Sequence, residues 1–111
     1  MENGSIKVIK QSNSDIEFSF ISGKEKDAAE YLVKYISSGG EISLANNEDE
    51  AGEGITSIIY KDGVFLFKNA GHGWTGDWNV ISQEDLKAMI VKLAPHNDGS
   101  HWSLVGRLRK C

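Results

Sequence analysis

The stretch ITSIIYKDGVFLFK, residues 55–68, decides the fold. Two runs rich in β-branched and aromatic residues flank Asp62-Gly63. A two-residue type I′ loop needs positive φ at both central positions, and Asp-Gly supplies it at low steric cost. The spacing therefore predicts a β-hairpin. The turn sets the register: Lys61 faces Val64, Tyr60 faces Phe65, Ile59 faces Leu66 and Ile58 faces Phe67. Side chains alternate along a strand, so Ile58, Tyr60, Phe65 and Phe67 share one face and Ile59, Val64 and Leu66 the other. Tyr60, Phe65 and Phe67 are expected to be largely buried beneath helices. A hairpin apolar on both faces is either central in its sheet or half covered by something outside the chain.

Before the hairpin, residues 45–54 read ANNEDEAGEG, a polar segment without periodicity. Glu48, Asp49, Glu50 and Glu53 place four carboxylates within six residues, and no basic residue lies among them. The spacing is not that of an EF-hand, because Ala51 and Ile58 fall on ligand positions. Read plainly, this is a solvated loop that keeps the protein in solution. Read more sharply, it is an anionic patch offered to a basic protein surface.

After the hairpin, residues 69–76 read NAGHGWTG. Gly71, Gly73 and Gly76 match GxGxxG literally. The dinucleotide motif needs those glycines to run from a strand straight into a helix, and here the next helical pattern starts only at Ser82. The expected structure is a demanding loop beside a sheet edge. It carries Trp74, and Trp78 follows; such tryptophans serve either as core lids or as interface anchors.

Further out, residues 6–9 and 15–21 alternate as two strands joined by a polar turn. Ser22 and Glu25 have capping-box spacing ahead of an apolar stripe, Ala28, Tyr31, Leu32, Tyr35 and Ile36, that predicts a helix ending at Gly39-Gly40. Residues 41–44 suit a short strand, and residues 77–81 resume one. Ser82 is placed to cap a second helix with Leu86, Met89, Ile90 and Leu93 inward, stopped by Pro95. Residues 96–100 form a turn. Residues 101–108 read as a last strand with Trp102, Leu104, Gly106 and Leu108 on one face. The order ββα(β)ββ(β)αβ is that of an α+β fold, a mainly antiparallel sheet with two helices on one face.

The chain has 111 residues, enough for a single domain with one modest core. Its ten aromatics (3 Trp, 3 Tyr and 4 Phe) suffice to fill that core. No apolar run is long enough to span a bilayer, and the first residues, MENGSIKVIK, lack a signal-peptide pattern. The one cysteine, Cys111, excludes an internal disulfide and fits a reducing cytoplasm. A net charge of −4 argues against a general nucleic-acid binder. His72, His96 and His101 lack metal-ligand spacing, so no metal or cofactor is expected. Two of them could still converge for metal-independent acid–base chemistry on a phosphodiester, although such a site wants a positive surround. The bland reading makes all three surface or structural residues.

The acidic NNEDEAGEG segment, the ITSIIYKDGVFLF hairpin and the GHGWTGDWNV segment, in a small single-domain α+β chain, resemble the immunity proteins of bacterial polymorphic-toxin and contact-dependent growth inhibition systems. The resemblance implies a cytoplasmic inhibitor, not an enzyme, whose partner is a cognate toxin domain with a basic active-site cleft. Glu48, Asp49, Glu50, Glu53, Trp74 and Trp78 would then be the partner-binding residues, and none would be catalytic. The alternatives are a small nuclease or nucleotide-processing enzyme using His72, His96 or His101, and a regulatory module whose sheet edge pairs with a partner strand.

Overall fold

The computed structural model describes residues 4–46, 54–71, 73–100 and 105–110. It is an α+β fold with the elements β1 (Ile6–Gln11), β2 (Asp15–Phe20), α1 (Glu25–Ile36), β3 (Gly40–Asn46), β4 (Gly54–Lys61) and β5 (Val64–Gly71). There follow β6 (Trp74–Thr75), β7 (Asn79–Ile81), α2 (Gln83–Leu93), a 3₁₀ turn (Ala94–Asn97) and β8 (Gly106–Lys110). The strands form one eight-stranded sheet in the order β1-β2-β8-β3-β4-β5-β6, with β7 also on β5. Every pairing is antiparallel. Among the described residues no helix is long and apolar enough to cross a membrane.

The hairpin has the register its turn dictates, with Lys61 opposite Val64 and Ile58 opposite Phe67. Asp62 and Gly63 both take positive φ, 53° and 84°. One face of the sheet carries the helices. Phe18, Leu108, Ile42, Leu44 and Ile58 point into it and are fully buried in a single core with Ala28, Leu32, Ile36, Leu86 and Ile90. Burying each large aliphatic side chain contributes about 1.5–3 kcal/mol. Phe65 is buried, as its register requires, but Phe67 is only partly so and Tyr60 is 37% exposed. The expectation that all three are largely buried therefore fails at Tyr60. It is the residue before Lys61 and the turn, and its ring leans on Phe65, 4.8 Å between centroids, at the margin of the core.

Local signals hold for α2 and fail at the start of α1. Ser82 caps α2, its Oγ accepting from the Asp85 N–H at 3.1 Å. Ser22 does not cap α1. The Lys24 N–H bonds the Ile21 carbonyl across a turn in which Gly23 has φ +88°, and the helix starts at Glu25. Glu25 still reaches back, accepting from the Gly23 N–H at 3.2 Å. Strand β5 runs on to Gly71 and pairs with β6, so part of the segment expected to be irregular is a small hairpin. Trp102 and Leu104, expected on the last strand, lie outside the described residues.

Two residues fix the middle of the sheet. Gly106 lies opposite Phe18, and a Cβ there would sit 2.4 Å from the Phe18 ring, so only glycine lets the ring cross β8. Asn97 is fully buried. Its Oδ1 accepts from the Ala45 N–H at 2.7 Å, and its Nδ2 donates to the carbonyls of Ala45 at 3.0 Å and Leu93 at 2.9 Å. Ala45 lies two residues past the last β3–β8 pair, Ser43 with Arg107. The Asn97 amide thus substitutes for a strand where the ladder has stopped. Asn97→Ala should cost about 2 kcal/mol or more, because it strands a buried N–H and two buried carbonyls. Gly106→Ala should cost about 1–3 kcal/mol by overpacking. Urea unfolding of both variants measures this, and losses well below 1 kcal/mol would contradict the assignment.

Candidate functional site

The residues singled out in the sequence separate onto different parts of the sheet. Glu48, Asp49, Glu50 and Glu53 lie outside the described residues. The residues that bracket them are described: Asn46 ends β3, Gly54 begins β4, and the two are paired. These ends of β3 and β4 lie at the end of the sheet where β5 passes into β6.

Trp74 stands at that same end. It is paired with Gly71, and a Cβ on Gly71 would lie 2.4 Å from the indole nitrogen. The indole therefore lies on bare backbone, with half its surface open to solvent. Gly71 has the same parity along β5 as Phe65 and Phe67, so Trp74 is on the helix-bearing face. Beside it the Thr56 hydroxyl donates to Asn69 Oδ1 at 2.7 Å and accepts from Asn46 Nδ2 at 3.2 Å. This polar row ties β3, β4 and β5 together. The glycines of the GxGxxG string all serve the local backbone. Gly71 makes room for the indole, Gly73 turns the chain at φ +79°, and Gly76 packs on the Asn69 carbonyl.

Trp78 is on the other face. Residues 66 and 80 are paired, so Trp78 falls opposite Lys68, whose ammonium lies 4.8 Å from the ring centroid. This is the face without helices. It divides into a charged half and an apolar half. In the charged half, Arg109 pairs with Asp15 at 3.2 Å and approaches Glu41 at 3.9 Å, and Arg107 pairs with Glu17 at 3.4 Å. These are exposed pairs and contribute little to stability. In the apolar half, Ile59, Leu66 and Val80 form a continuous row across β4, β5 and β7. Val80 is 69% exposed, and Ile55 and Val64 are also exposed. The sequence pointed to the apolar faces of the hairpin but not to Val80, whose position depends on β7 pairing with β5.

Of the histidines, only His96 is described, half-buried in the 3₁₀ turn; His72 and His101 lie outside the described residues. Among the described residues no three His, Cys, Asp or Glu side chains are grouped to hold a metal. Among the described residues three groups have displaced pKa values, and all move away from neutrality. Burial, and then the neighbouring Tyr35, raises the Tyr31 hydroxyl, and burial raises Tyr35. The Ser100 N–H and hydroxyl hold the Asp98 carboxyl below its ordinary value. None of these three is poised for proton transfer at neutral pH.

The exposures, 50% for Trp74 and 39% for Trp78, argue against core lids. Replacing a buried tryptophan by alanine costs about 3–5 kcal/mol. Trp74→Ala and Trp78→Ala should each cost far less, about 1 kcal/mol, and leave the melting transition cooperative. Thermal and urea unfolding test this, and a loss of 3 kcal/mol or more at either position would make it a core residue.

Comparison of the chain with protein-family models, with curated proteins and with solved structures finds no significant match.

Proposed function

We propose that this protein is an immunity protein: a cytoplasmic inhibitor, not an enzyme, that binds a cognate bacterial toxin domain and blocks its action on nucleic acid. The observation that carries this reading is the juxtaposition at one end of the sheet. A half-exposed Trp74 stands where the paired Asn46 and Gly54 bracket four carboxylates. A toxin that acts on nucleic acid presents a basic cleft to its substrate. Glu48, Asp49, Glu50 and Glu53 offer that cleft a phosphate-like charge, and Trp74 offers it an apolar contact. Charge and ring then act at different stages. Exposed carboxylates steer the encounter over a Debye length of about 8 Å and weaken in salt. A tryptophan seated in a pocket excludes water and slows departure.

The test is kinetic, with the purified product of the neighbouring gene as the proposed toxin. Changing Glu48, Asp49 and Glu50 together to Gln, Asn and Gln should slow association and flatten its dependence on salt. Trp74→Ala should speed dissociation roughly 30-fold, as for a hot spot worth about 2 kcal/mol. An unchanged association rate at low and high salt would reduce the segment to a solubilising surface. The protein alone should not turn over RNA, DNA or cyclic nucleotides, with or without divalent metals. Turnover that disappears in His72→Ala, His96→Ala or His101→Ala would replace the inhibitor by a small nuclease.

A further inference from the structure

The apolar half of the sheet face opposite the helices, uncovered among the described residues, is a second surface. Its centre is the row Ile59–Leu66–Val80. Lys61 lies two residues from Ile59 along β4, on one side of this row, and Lys68 lies two residues from Leu66 along β5, on the other. The charged half of the face is internally paired, arginine to carboxylate. Lys61 and Lys68 are not: among the described residues neither makes an ion pair, and the contact Lys68 makes is with the Trp78 ring. In a chain of net charge −4, the uncompensated charge bordering this apolar row is positive.

We propose that this face binds an amphipathic helix of a partner protein, with an apolar stripe flanked by Asp or Glu. Charge sets the chemistry of the partner. A two-fold copy of this face would bring unpaired lysines towards unpaired lysines, whereas an acidic partner neutralises them. Spacing sets its shape. The rows holding Lys61 and Lys68 are four residues apart along the strands, about 13 Å. An α-helix with its side chains is about 10–12 Å across. A helix lying along Ile59, Leu66 and Val80 therefore has one lysine on each flank. The Lys68–Trp78 stack leaves an ammonium beside an apolar ring, a pairing suited to a carboxylate set next to leucine or isoleucine.

This inference does not rest on toxin binding, and its test uses no toxin. The probe is a labelled synthetic helix of about five turns with a Leu/Ile stripe flanked by Glu. Its control carries Lys in place of every Glu. Fluorescence anisotropy should show that the wild-type protein binds the Glu peptide at least roughly tenfold more tightly than the Lys peptide. L66D should abolish binding. The double variant K61E/K68E changes one exposed and one half-buried hairpin position, neither of them in the core, and should invert the preference between the peptides. Equal affinity for both peptides, no binding of either, or an uninverted preference in the double variant would overturn the proposal. Sedimentation velocity supplies the remaining arm: a dimer that L66D dissociates would show that a second copy covers the face instead.

Discussion

The sheet is held together through one strand. β8 is bonded to β2 on one side and β3 on the other, so it alone joins the β1–β2 hairpin to the β3–β4–β5 meander. Every other ladder links strands that are near in sequence. β8 instead brings Arg109 against Asp15 and against Glu41. Such long-range closure carries a loop entropy that local hairpins do not. The structure meets it with close fits at the entry to the strand. Gly106 lets Phe18 pass over the backbone, and Asn97 completes the β3 edge before the strand begins. Leu108, fully buried, then enters the core between Ile16 and Ile42.

That arrangement positions both surfaces. With β8 in the middle, the meander is pushed to one side of the sheet, and its open face extends away from the paired charges of β2, β8 and β3. The hairpin read from the sequence as apolar on both faces is therefore covered by helices on one face and, among the described residues, bare on the other. Trp74 and Trp78, four residues apart in sequence, stand on opposite faces because each follows the register of a different pairing with β5. They are not one anchor. In the functional reading advanced above, Trp74 belongs with the acidic end and Trp78 with the lysine-bordered row.

What the sequence made legible was local. The hairpin register followed from Asp62-Gly63 because a type I′ turn leaves no other alignment, and the Ser82 cap followed from the hydroxyl's distance to Asp85. Ser22 misled because Gly23 at positive φ diverts the chain before the helix can begin, and the Ser-x-x-Glu spacing cannot reveal that. Strand order was not legible. It depends on β8 entering between β2 and β3, which no alternation pattern encodes. Asn97 was hidden in HNDGS, a string that reads as a turn; its one cue was a position just past a proline-stopped helix, where an amide can reach back to the last turn. Tyr60 has the parity of a core residue, but parity gives the face of a strand and not how far along it the helices reach.

On the proposed function, this chain is a binding protein that acts by inhibition. The most direct measurement is growth of bacteria induced to express the product of the neighbouring gene, taken as the proposed toxin, with and without this protein. Co-expression should restore growth, and restoration should weaken when the carboxylates of residues 48–50 are neutralised. Unchanged killing in the presence of folded, abundant protein would contradict the account.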